Sequence, residues 1–136
     1  MAAERFTRKE ADALLPYLAP ILFQIRELKH QHDQCREQIA ELSLKTRSNG
    51  HGPETELRTA RDGMEKAAVK IKELAERVQS YGCELKDMEM GLIDFRWLRE
   101  DREVYLCWKL GEARVEHWHE LETGFAGRQP LEEEAE

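Results

Sequence analysis

Apolar residues recur along the first half of the chain with the period of a packed helix. Leu14, Leu18, Ile21, Ile25, Leu28, His32, Cys35, Ile39 and Leu42 are spaced alternately by four and three, with His32 the one histidine in the row. A second row, Leu57, Ala60, Met64, Ala67, Ile71, Leu74, Val78 and Tyr81, alternates three and four and stops at Gly82. Between the rows lies Arg47-Ser48-Asn49-Gly50-His51-Gly52-Pro53, dense in turn formers. Two heptad rows joined by a short loop predict an antiparallel helical hairpin that places Cys35 opposite Met64. Thr7-Arg8-Lys9-Glu10 reads as a capping box, so the first helix is expected to begin there. Pro16 is expected to kink that helix or open a new one, because an interior proline removes a donor and crowds the preceding turn.

From Cys83 the helical period disappears. Residues 83–87 and 92–95 read as short strands around Met90-Gly91, and residues 97–102 as a polar connection. Residues 103–110 form the clearest strand pattern, rich in aromatic and β-branched side chains. Gly111-Glu112-Ala113 is a turn, and residues 114–120 alternate as a returning hairpin strand. The predicted fold is therefore α+β: a long heptad-packed antiparallel α-helical hairpin over residues 1–82, with its loop at 47–53. A small antiparallel β subdomain follows over 83–131, near the open end of the hairpin, with an acidic, frayed tail at 132–136. Trp97, Trp108 and Trp118 are expected to build a small core there.

Composition narrows the function. The 136 residues are 36% charged with a net charge of −7. Residues 1–82 carry 14 basic and 13 acidic side chains, and residues 83–136 carry 7 and 15. An acidic C-terminal half repels phosphate backbones and anionic lipid, so neither nucleic acid nor a membrane surface is expected as a partner. The longest apolar stretch, residues 18–23, contains Pro20 and is too short to span a bilayer. The N-terminus has no apolar core of a secretory signal, and three cysteines without a C-x-x-C pair suit a reducing compartment, so a cytoplasmic location is expected.

The densest chemistry is His117-Trp118-His119. On a strand, both imidazoles point to one face and can share a metal such as zinc or iron. Glu112 and Glu120 lie close in sequence as a third ligand or a supporting contact. Cys107 joins them only in one register of the hairpin. With a three-residue loop it sits beside His117, and Tyr105 beside His119; with a two-residue turn the faces exchange. A metal- or small-ligand-binding sensor module is the leading reading, with His117, His119, Cys107, Glu112 and Glu120 as candidate metal residues. The second reading is a structural interaction protein whose heptad helices form a homodimer or grip a protein partner. The third is a metal-dependent hydrolase with Glu112 or Glu120 as general base. Cys107 as a nucleophile with His117 as its base lacks an orienting third group. Arg128 is a candidate for holding an anion.

Several of these segments resemble a bacterial family known as domain of unknown function 2203. They are Phe6-Thr7-x-x-Glu10-Ala11-x-Ala13-Leu14-Leu15-Pro16, Glu84-Leu85-Lys86-Asp87-x-x-x-Gly91-Leu92-Ile93-Asp94-Phe95, Cys107-Trp108-x-x-Gly111-Glu112 and His117-Trp118-His119-Glu120-Leu121-x-x-Gly124-Phe125-x-Gly127-Arg128-x-Pro130-Leu131. The resemblance implies a small bacterial cytoplasmic protein whose distinctive segment is residues 107–131. It implies no assigned reaction and no catalytic residues.

Overall fold

The computed structural model describes residues 4–49 and 53–132, and the side chains of all of these except 46–49. Helix α1 spans Arg8–Asn49 and α2 spans Glu54–Ser80. The capping box forms: Thr7 Oγ1 accepts the Glu10 N–H at 3.1 Å, and Glu10 Oε1 accepts the Thr7 N–H at 2.9 Å.

Contrary to the expectation of a break at Pro16, α1 runs through Pro16 and Pro20 as one element. Each proline removes one intrahelical bond, at a cost of roughly 3 kcal/mol. Both rings sit on the exposed side, while Ala11, Leu15, Leu18, Ile21, Leu22 and Ile25 are buried on the other. At roughly 1.5–3 kcal/mol per large apolar side chain, that burial outweighs two missing bonds. The helix also extends to Asn49, past the expected loop start at residue 47. Gly50, His51 and Gly52 of that loop lie outside the described residues.

Helix α2 buries Ala60, Ala67, Ile71, Leu74 and Val78, members of the predicted row. It ends at Tyr81 and Gly82, where Gly82 takes a left-handed φ of +96° and donates its N–H to the Gln79 carbonyl at 2.9 Å. The two helices pack antiparallel, and a Cβ added at Gly63 would lie 3.2 Å from Cys35 Sγ.

The C-terminal half is a five-stranded antiparallel sheet in simple sequential order. Its strands are β1 (Glu84–Asp87), β2 (Leu92–Arg99), β3 (Arg102–Lys109), β4 (His117–His119) and β5 (Gln129–Pro130), with a single 3-10 turn at Phe125–Gly127 before β5. Two strand expectations are corrected. Residues 97–102 are not a polar connection: β2 continues to Arg99, and the turn is Glu100-Asp101 alone. Both of these residues are left-handed, with φ of 51° and 64°, as a two-residue hairpin that follows the strand twist requires. The returning strand is three residues long rather than seven. Residues 110–116 form a connection because α1 takes the backbone bonds of Val115. Arg8 Nε donates to the Val115 carbonyl at 2.9 Å, and the Val115 N–H donates to Asp12 Oδ1 at 2.7 Å. Glu132, expected to fray, is held by Arg8 Nη1 at its carbonyl (3.1 Å) and by Arg99 at its carboxylate (3.4 Å). Residues 133–136 lie outside the described residues.

One sheet face carries Ile93, Phe95, Trp97, Val104, Leu106, Trp108 and Trp118. They share a core with Ala11 to Ile25 of α1 and Ile71 to Val78 of α2, so the sheet covers the open end of the hairpin. Phe6 packs edge-on against Phe95 at 5.2 Å. Among the described residues, no helix is long and apolar enough to cross a membrane.

Candidate metal centre

The strand pleat sends Asp94, Arg96, Tyr105, Cys107, His117 and His119 to the face opposite the helices. Asp94 pairs with Cys107, which pairs with His117; Arg96 pairs with Tyr105, which pairs with His119. This is the register that places Cys107 beside His117, reached through a longer connection than a three-residue loop.

Three of these side chains converge. Ligand atoms of Asp94, Cys107 and His119 all lie within 4.8 Å of one another. All three residues are sealed from solvent, at 1%, 0% and 1% exposure. His119 Nδ1 lies 2.7 Å from the Glu120 carbonyl oxygen, so that nitrogen is protonated and donates. His119 Nε2 then faces Asp94 Oδ2 at 3.0 Å, and one proton is shared across the contact. Among the described residues, Asp94 Oδ1 is buried with no hydrogen-bond partner, and the carboxyl draws on His119 and, more weakly, on the Cys107 thiol. Leaving an acceptor unmet in a dry interior is costly, roughly 1–3 kcal/mol, so this oxygen is the least satisfied atom of the group.

Burial holds the Asp94 carboxyl above the ordinary carboxylate range, against the pull of His119. Burial, reinforced by the Asp94 charge, pushes the Cys107 thiol well up, with Arg128 opposing. A thiol so raised is protonated at neutral pH and is a poor nucleophile. Tyr105 leans over His119 at 5.4 Å and donates its hydroxyl to Glu84 Oε1 at 3.1 Å. Lys86 and Arg96 lie 4.8 and 5.4 Å from the Tyr105 ring. These long side chains help explain how Asp94, Cys107 and His119 are sealed on a sheet face that otherwise meets solvent.

A second cluster adjoins the first. Arg128 Nη2 donates to Glu112 Oε1 at 2.7 Å, to Glu112 Oε2 at 2.9 Å and to His117 Nδ1 at 2.8 Å. Glu112 Oε1 also accepts the Lys109 N–H at 2.7 Å, which closes the 110–116 connection back on β3. The Glu120 carboxylate turns to Arg102 at 2.6 Å.

Of the five candidate residues from the sequence, Cys107 and His119 thus meet at the triad. His117 and Glu112 meet instead at Arg128, and Glu120 reaches the triad only through its backbone carbonyl. Arg128, considered for an anion, is taken up by Glu112 and His117. Asp94 is the residue that sequence reasoning missed. Its signal was a lone carboxylate inside the apolar run Leu92-Ile93-Asp94-Phe95, where an unpaired charge would be expensive.

A thiolate, an imidazole and a carboxylate are ligands that zinc accepts. Ordinary zinc–ligand lengths imply separations of roughly 3.3–3.6 Å between ligand atoms, so atoms now up to 4.8 Å apart would have to draw together around an ion. The Nδ1–H bond to a carbonyl is the contact that orients a ligating histidine.

No curated protein and no solved structure matches the chain. The family model described as an uncharacterized conserved protein matches residues 4–131. The chain therefore belongs to the DUF2203 family.

Proposed function

We propose that this protein binds one transition-metal ion, zinc or iron, at Asp94, Cys107 and His119. The observation that carries the reading is the buried Asp94 carboxyl, whose Oδ1 has no hydrogen-bond partner among the described residues and which draws only on His119 and the weak Cys107 thiol donor. An ion there would satisfy that oxygen and displace two protons to solvent, the one between Asp94 and His119 and the one on the Cys107 thiol. It would also tie β2, β3 and β4 together. The sealed position favours a site that holds an ion, as a sensor or structural centre, over one that turns over a substrate. Metal content of tag-free protein, measured by inductively coupled plasma mass spectrometry after size exclusion, tests it. About one zinc or iron per chain is expected, with loss in Cys107→Ser and His119→Ala. Stoichiometric metal in both variants would sink the assignment.

A second reading is favoured by the far half of the hairpin. Beyond Leu28, the row residues His32, Cys35 and Ile39 are only half-buried, although Leu42, Ala60 and Ala67 are buried between the helices, and the core shared with the sheet does not extend to this half. Covering that seam with a second copy of the chain would make a homodimer, and a helix of a protein partner would cover it equally well. Light scattering on the eluting protein tests the dimer: twice 16.0 kDa supports it, and 16.0 kDa at high concentration removes it.

A further inference from the structure

The cluster around Arg128 holds more acceptors than one nitrogen can serve. Besides Glu112 Oε1 and Oε2 and His117 Nδ1, Arg128 Nη2 lies 3.4 Å from the Cys107 carbonyl, yet it carries only two hydrogens. Among the described residues, Arg128 Nε is buried without a hydrogen-bond partner, so the side chain is committed here at a cost. Arginine cannot accept a hydrogen bond. His117 Nδ1 must therefore accept, and the neutral imidazole keeps its proton on Nε2. In that tautomer neither ring nitrogen of His117 has a lone pair to offer a metal.

The other tautomer has its acceptor in place. Glu112 Oε2 lies 3.4 Å from His117 Nδ1. With Nδ1–H turned to Glu112, Nε2 becomes a ligand atom, which is the arrangement His119 already has with the Glu120 carbonyl. His117 is the cross-strand partner of Cys107 and shares its sheet face with His119, but held by Arg128 its ring stands outside the group of ligand atoms that lie within 4.8 Å of one another, so it must swing in to join them. Closed zinc sites take four protein ligands, and the triad supplies three.

We propose that His117 is the fourth ligand and that Arg128 is the positioning residue that withholds it, a deepening that rests on the metal reading of the triad. On metal capture the His117 Nε2 proton would leave to solvent, Nδ1 would take up a proton from solvent and donate it to Glu112, and the ring would part from Arg128. The release couples the buried centre to the 3-10 turn Phe125–Gly127, whose Phe125 ring lies 4.9 Å from the Arg128 guanidinium.

Long-range proton–nitrogen NMR of the histidine rings in the full chain tests this directly, recorded before and after one equivalent of zinc. His117 should change from the Nε2–H to the Nδ1–H form, with Nε2 shifted by coordination as in His119. If zinc binds and moves only the His119 signals, the role of His117 is overturned while the triad stands. If no zinc binds, the triad reading itself falls and takes this one with it. Zinc affinity of variants gives an independent check. His117→Ala should weaken binding by more than the roughly 10- to 100-fold that loss of an outer contact costs, and Arg128→Gln should strengthen it about tenfold. In the His117→Ala background, Arg128→Gln should change nothing. An equal gain in both backgrounds means that Arg128 does not act through His117, which overturns the proposal.

Discussion

Asp94 Oδ2 and His119 Nε2 lie 3.0 Å apart, each side chain 2% exposed, on strands that are not neighbours in the sheet. Strand β3 runs between them, so the contact reaches across Cys107. A buried pair of this kind stabilises little relative to an apolar pair of the same volume, but it is expensive to break. Asp94→Leu alone and His119→Leu alone should each cost about 3–5 kcal/mol in metal-free protein, read from urea unfolding. The double variant should cost clearly less than the sum. Full additivity would mean that the two groups do not act as a pair.

Alkaline pH should loosen the fold through its thiols. Burial pushes Cys83 up from 9.0 to about 12. Its folded value exceeds its unfolded value, so the unfolded chain releases the proton first. The stabilising contribution is complete below pH 9.0 and is lost as pH rises from 9.0 towards about 12. One raised thiol steepens the fall by about 1.4 kcal/mol per pH unit inside that window. Urea midpoints between pH 8 and 11 measure it, and Cys83→Ala should flatten the slope even where it lowers stability overall.

The same burial predicts an ordering of thiol reactivity. Cys35 is half-buried in the hairpin, whereas Cys83 and Cys107 are buried. A thiol reagent added to native protein at pH 8 should modify Cys35 first and leave the other two until urea is added. Rapid native modification of Cys107 would contradict its place between Asp94 and His119.

The clamp on Val115 ties the proposed metal site to the start of α1. Arg8→Ala or Asp12→Ala leaves a Val115 backbone group without its partner, and each should cost about 1–3 kcal/mol. Because Val115 lies two residues before His117, each variant should also lower zinc affinity. Calorimetric titration of the folded variants checks this, and wild-type affinity in both would separate the clamp from the site.

Local regularities were legible in the sequence because they depend only on nearby residues. The heptad rows predicted both helices, and the threonine–glutamate spacing predicted the cap of α1. Gly82 marked the end of α2, and the aromatic run marked β3. Local rules also overreached. The proline rule describes the cost of Pro16 and not the burial of Leu15, Leu18 and Leu22 that offsets it. The alternation across residues 114–120 predicted strand, but Arg8 and Asp12, more than 100 positions away, claim the backbone of Val115.

The sequence alone determined that the chain is α+β, that helices come first and strands last, and that Cys107, His117 and His119 lie in the chemically dense half. Only the tertiary structure decided which of them meet. Pairing of β2 with β3 brings Asp94 to Cys107, and pairing of β3 with β4 brings His119 beside Tyr105. A one-residue slip of either ladder would turn those side chains towards the helices. Cross-strand register is set by contacts between distant residues, and no pattern within a single strand contains that information.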